Sequence, residues 1–163
     1  MYDPFADVLR AGYTLGVAPD LAADAWLIRD EQVIVLSADL TDTEMRSMCA
    51  HMHAHILLDH HAVPGDAARR ESAAERLAAR LLIPVTELAA LLPVTETAVE
   101  MARQLGVTVA TLAQRAGNLA IEELQYLLPV HKRFSWPPGV FARPMRCAMV
   151  DTLALAPACQ PAA

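Results

Sequence analysis

Residues 41–60 read TDTEMRSMCAHMHAHILLDH, residues 71–84 read ESAAERLAARLLIP, and these two stretches decide the fold. The first opens on Thr41-Asp42-Thr43-Glu44, a capping box in which a hydroxyl and a carboxylate satisfy the unpaired amides of a helix start. A helix to about Leu58 or Asp59 follows, with Met45, Met48, Cys49, Met52 and Ile56 spaced three and four apart as its apolar stripe. The second stretch is built from strong helix formers and predicts a helix over 69–83. Pro84 halts it, having no amide to donate. A polar break, His60 to Asp66 with Pro64-Gly65 inside it, separates the two.

Histidine is the informative residue type. His51, His53, His55, His60 and His61 fall close together, in and just beyond the first helix. Residues four apart lie on neighbouring turns of one helix face, so His51 and His55 project together and can share one metal ion. His53, about 200° round the helix from His51, points elsewhere and is expected to face solvent. Two imidazoles are an incomplete zinc site; a third protein ligand is needed. The second helix offers Glu71 and, one turn on, Glu75, on the same face as Ala74, Ala78 and Leu82. That small-residue stripe lets the two helices press together. Glu71 can complete a His-His-Glu set, and Glu75 can accept a hydrogen bond from a ligand imidazole and fix its tautomer. The bland alternative is a histidine-rich surface run beside solvated carboxylates paired with Arg69, Arg70 or Arg76, contributing little. Met52 likewise reads as a plain continuation of the apolar stripe, and Cys49 as a small buried apolar residue.

The stretch from Cys49 to His60 resembles the ImmA/IrrE family of zinc metallopeptidase-like proteins, whose helix usually reads Ala-His-Glu-Leu-Gly-His followed by apolar residues and a further His. Glu71 to Pro84 is similar to that family's Glu-x-x-Ala-Asp/Asn-x-Phe-Ala-Ala-x-Leu-Leu-Met-Pro helix. The resemblance implies a zincin fold, zinc as cofactor, and His51, His55 and Glu71 as metal ligands, with Glu75 at an acidic or amide position behind them. His60 matches the further His, for which a structural role at the helix end is expected. It also implies a setting: family members are associated with phage and mobile elements and antagonise repressors by cleaving them. One departure matters. Met52 stands where the family has Glu, the residue that takes a proton from the attacking water and passes it to the leaving amine. A thioether does neither. The resemblance therefore implies a catalytically impaired member that binds a repressor or other transcription regulator. The alternative is an active peptidase with a relocated base, for which His60 and His61 are the candidates.

Outward from this centre the chain is less specific. Residues 2–11 predict a short helix with Phe5, Val8 and Leu9 on one side and Gly12 ending it. Tyr13 to Val17, Ala25 to Ile28 and Gln32 to Ser37 predict three short strands, taken as one antiparallel sheet with a hairpin at Arg29-Asp30-Glu31. Val85 to Leu92, Thr95 to Leu105, Val107 to Ala116 and Leu119 to Leu128 predict further short helices. The expected class is α+β, mostly helical, with one domain over 1–128. Residues 129–163, interrupted by Pro137-Pro138-Gly139, Pro144, Pro157 and Pro161, are expected to form a wrapping, partly disordered arm. Ala102 to Leu112 resembles a helix-turn-helix, a third reading of the chain as a DNA-binding module. Over Thr95 to Asn118 the charges balance, Glu96 and Glu100 against Arg103 and Arg115, and the second helix carries mainly Val, Ala and Leu. A DNA reader needs basic excess and polar side chains, so nucleic acid is not the expected partner.

Composition agrees with a packed, water-facing domain. Of 163 residues 55% are apolar but only 5% aromatic, so the core must be aliphatic. The net charge of −6 argues against a chain that wraps nucleic acid. Three cysteines (Cys49, Cys147, Cys159) without a C-x-x-C spacing exclude an all-cysteine zinc site. No apolar run reaches the roughly 18 residues a membrane span needs. The opening Met-Tyr-Asp-Pro lacks the basic start of a secretory signal, so a cytoplasmic location and no membrane partner are expected.

Overall fold

The computed structural model describes residues 2–61 and 66–130 in full and residues 147–150 as backbone. The prolines at 137, 138, 144, 157 and 161, on which the expected arm rested, lie outside the described residues, as does Pro64-Gly65.

Helix α1 (Pro4–Arg10) starts where Asp3 accepts hydrogen bonds from the amides of Phe5 and Ala6, with Pro4 in the first turn where no amide is missed. It ends at Gly12, whose φ of +87° suits a residue without a Cβ. Val8 is buried, but Leu9 faces outward at 57% exposure, so only part of the expected apolar side is used. Strands β1 (Thr14–Ala18), β2 (Ala25–Ile28) and β3 (Val33–Ser37) follow at the expected places.

Their pairing corrects the expectation. β2 and β3 form the antiparallel hairpin, with Trp26 opposite Val35, but β3 lies between β2 and β1 and pairs with β1 in parallel, Gly16 opposite Val35. The sheet is therefore mixed. Parallel neighbours need a crossover of a dozen or more residues, and here the 19–32 segment, β2 included, supplies it. A fourth strand, β4 (Cys147–Val150), comes from beyond the expected domain end and pairs in parallel with β2, giving the order β1-β3-β2-β4.

Helix α2 (Asp42–Leu57) begins with the capping box as read: Thr41 accepts from the Glu44 amide, and Glu44 accepts from the Thr41 amide. Ser47 to His55 is buried without a break, because α2 is covered on both flanks. Toward the sheet, Met48, Cys49 and Met52 join Val8, Tyr13, Leu27, Ile34 and Leu36 in one apolar cluster. Toward helix α3 (Ala67–Leu82), Ala50 and Ala54 meet Ala74 and Ala78 in a second cluster, with nothing bulkier to hold the backbones apart. α3 ends at Leu82, with Ile83 as its C-cap before Pro84, one residue short of the expected end.

Helices α4 (Val85–Leu91), α5 (Ala98–Leu105), α6 (Val109–Gly117) and α7 (Ile121–Leu127) complete the second cluster. The α5–α6 turn at Gly106 is tied to α2 by Arg46, which donates to the carbonyls of Leu105 and Gly106. Arg115, 2% exposed, donates to the Ile83 carbonyl and, through two nitrogens, to Glu123, whose carboxyl its hydrogen bonds hold down at about 2. One of the two arginines in the 95–118 stretch thus braces the interior of the helical layer.

Candidate metal centre

Two successive turns of α2 and the first turns of α3 bring His51, His55 and Glu71 together. The Nε2 atoms of His51 and His55 lie 3.0 Å apart, and the Glu71 carboxylate places Oε2 at 3.1 Å from His51 and Oε1 at 3.4 Å from His55. Both rings are fully buried, and Glu71 is half-buried. The i, i+4 spacing sets the ring pair, and the alanine contact between α2 and α3 sets the distance of Glu71 from it. This is the arrangement drawn from the sequence.

The set fits a zinc ion by a geometric test. Ligands at ~2.0–2.1 Å in a tetrahedron stand about 3.3 Å from one another, close to the separations here. The chemistry agrees. Two ring nitrogens that face each other cannot both carry a proton, so at least one lone pair points at the common centre beside a carboxylate. Burial pushes the His55 pKa down, against the upward pull of its Glu71 hydrogen bond, and His51 pushes it down further. A neutral imidazole is the form a metal accepts. A zinc ion bound there supplies Lewis acidity toward a carbonyl and acidifies water. Everything else must come from the chain.

What the chain supplies is orientation. The Nδ1 of His60 lies 3.1 Å from the Nδ1 of His55, on the side of the ring turned away from the cluster. When Nε2 is a ligand, His55 carries its proton on Nδ1 and donates it to His60, which locks the ring's tautomer. His60 is itself disfavoured as a cation, first by burial and then by His55 and Arg70. Arg29, just after β2, donates to the His55 carbonyl at 3.4 Å and to the Asp59 carboxylate at 2.7 Å, clamping the last turn of α2 to the sheet. His61 pairs with Asp59 at 3.2 Å at the surface. Both candidates for a relocated base are thus engaged elsewhere: His60 behind the ligand ring, His61 with Asp59.

Two placements differ from expectation. His53 is 7% exposed and not solvent-facing: its Nδ1 is 2.9 Å from the Tyr2 hydroxyl and its ring stacks on Tyr2. It points away from the cluster, as the helix arithmetic requires, but toward the N-terminal segment that covers that flank. Burial lowers its pKa and raises that of the Tyr2 phenol. Glu75 accepts its hydrogen bond from Gln114, at 3.3 Å, rather than from a ligand imidazole. It lines a cavity of about 140 Å³ between α2, α3 and α6, to which none of the three cluster residues contributes. The Nδ1 of His51, one of the two rings such a bond could have come from, has no hydrogen-bond partner among the described residues. His60 behind His55, and Arg29 beneath it, are the functional neighbours the sequence did not assign; the extra His of the resemblance was the signal for the first.

Met52, between His51 and His55 in sequence, is fully buried in the sheet-side apolar cluster. Cys49 is buried beside it, its thiol pushed up to about 12 by burial, which makes it inert packing.

A histidine pair on one helix and a glutamate on the next, set against a small mixed sheet, define a zincin-type domain. The family model of the IrrE N-terminal-like domain, Peptidase_M78, matches residues 15–116, and the chain belongs to this family. No curated protein matches the sequence. Among the described residues, no helix is long and apolar enough to cross a membrane.

Proposed function

We propose that this is a zinc-holding, peptidase-derived domain that acts in the cytoplasm as a regulatory factor, binding a protein partner such as a repressor or other transcription regulator without cutting it efficiently. His51, His55 and Glu71 are its metal ligands. The observation that carries the reading is the contrast within one helical turn: the ligand atoms converge within 3.0–3.4 Å, while the neighbouring base position is a thioether sealed in apolar core. A missing general base removes about 10²- to 10⁴-fold in rate, or about 2.7–5.4 kcal/mol of barrier. Partner binding needs no such group. The family resemblance supports a repressor as the partner and a phage or mobile element as the origin.

Elemental analysis and a protease assay on the same preparation test this reading. The parent is expected to hold stoichiometric zinc, lost in His51→Ala and in Glu71→Ala, and to leave protein substrates intact. Met52→Glu is expected to raise hydrolysis by two to four orders of magnitude. A parent that cleaves robustly and loses activity on chelation would overturn the impaired-enzyme reading, and a parent without zinc would overturn the metal centre.

A further inference from the structure

Protein interiors hold few voids larger than a water molecule, yet an opening of about 140 Å³ remains between α2, α3 and α6. Small residues leave it there. Ala78 and Ala79 on α3 and Ala110 on α6 stop short of filling it, and Met48 and Leu82 complete its apolar wall. The charged side chains that line it are all carboxylates, Asp24, Glu44 and Glu75, with no lysine, arginine or histidine among them. These three do not converge as metal ligands do: among the described residues, the trio whose ligand atoms lie within 4.8 Å of one another is His51, His55 and Glu71. A run of hydroxyls adds neutral oxygen to the lining. The Oγ1 atoms of Thr108 and Thr111 are 2.9 Å apart, and Thr111 donates to Ser47 at 3.4 Å. Glu75 accepts a bond from Gln114 at 3.3 Å, which takes one of the roughly four acceptor positions of a carboxylate.

We propose that this cavity binds a small free organic cation, an ammonium or amidinium group on an apolar body about the size of benzene, with Glu75 as its counter-ion. The size follows from the volume, since an apolar cavity of about 150 Å³ takes up benzene. The sign follows from the carboxylates. A cleft lined by one sign of charge, with apolar walls, focuses its field and concentrates counter-ions. An ammonium group has only donors and no acceptor. Glu75 offers it charged oxygen, and the Thr108–Thr111–Ser47 run offers neutral oxygen beside it. Charge-assisted bonds are roughly twice as strong as neutral ones, so Glu75 discriminates a cation from a neutral molecule of the same shape. An anion is repelled. None of the residues of the metal centre lines the cavity, although Ser47 and Glu75 stand one helical turn from His51 and Glu71. Cation binding here needs neither a metal nor a protein partner, so it stands or falls apart from the proposed function.

The test is calorimetric titration of the full-length chain, near neutral pH, with benzylamine, its neutral analogue benzyl alcohol, and benzoate. Benzylamine is expected to bind at least about tenfold tighter than the alcohol, the worth of one hydrogen bond to a charged group, and benzoate is expected not to bind. Glu75→Gln keeps the side chain's size and an oxygen for Gln114, and is expected to bring benzylamine down to the level of the alcohol. Ala110→Leu fills the cavity and is expected to abolish binding of both, with an unchanged circular dichroism spectrum. Glu75 is only half-buried on its helix, so Glu75→Gln decides the question even if the larger side chain at 110 prevents folding. Equal binding of amine and alcohol, no binding of either, or benzylamine affinity unchanged in Glu75→Gln overturns the proposal. So does an acetylated Ala-Lys-Ala amide that binds more tightly than benzylamine, which would give the cavity to a partner's side chain. The titrations are run with zinc and with chelator, and the benzylamine result is expected in both, so failure of the metal reading leaves it standing.

Discussion

The two flanks of α2 have been built for different ends. On the α3 side, Ala50, Ala54, Ala74 and Ala78 bring two backbones close and leave His51, His55 and Glu71 meeting at 3.0–3.4 Å. On the sheet side, Met48, Cys49 and Met52 are ordinary aliphatic packing. The family resemblance implies metal ligands on one flank and a proton carrier at position 52 on the other. Here the first flank brings together groups that could hold a metal ion and the second is apolar core. Ligand geometry and proton transfer are separable properties of one helix, because residues on different flanks answer to different neighbours.

Four measurements break or sharpen that contrast. The largest effect belongs to the metal flank. Zinc at 1,000 times its dissociation constant is expected to raise unfolding free energy by about 4 kcal/mol, seen as a higher urea midpoint that chelation reverses. In His51→Ala the same addition shifts nothing. Next comes the sheet flank: Met52→Ala should cost about 3 kcal/mol through the cavity it leaves while zinc stoichiometry stays at the parent value. A change in stoichiometry would mean the flanks are coupled after all. His60→Ala removes the acceptor behind His55 and is expected to weaken zinc binding 10- to 100-fold in a competition titration, with little change in the apo protein's midpoint. The smallest effect is away from both, at His53, where Tyr2→Phe removes the ring's hydroxyl partner at a cost of about 1 kcal/mol. Zinc affinity should not follow it.

Much of the α2–α3 unit was legible because its signals are local. The Thr41–Glu44 box, the stop before Pro84, the i, i+4 histidines and the alanine face each act within a turn or two. The first helix was expected from the Thr41 box to about Leu58 or Asp59 and the second over 69–83; they are found at Asp42–Leu57 and Ala67–Leu82. The sheet was half legible. A two-residue period marks a strand and a short junction marks a hairpin, but neither says that β3 will insert between β2 and β1. The misread side chains share one cause. For His53 the helix arithmetic gave the correct direction, away from the ligands, and the wrong surroundings, because Tyr2 comes from the other end of α1. For Glu75 the spacing allowed two partners, and Gln114, on a helix far along the chain, is the one it meets.

By itself, then, the amino-acid order determined which segments coil, where they stop, which two rings share a face, and that position 52 has no proton to move. These follow from covalent geometry and hydrogen bonding over a few residues. Only the tertiary structure decided that α2 is enclosed on both flanks, that His60 stands behind His55, and that a strand from beyond residue 146 closes the sheet beside the metal centre. Those outcomes depend on which distant surfaces cover one another, a competition among burial energies that no local window contains.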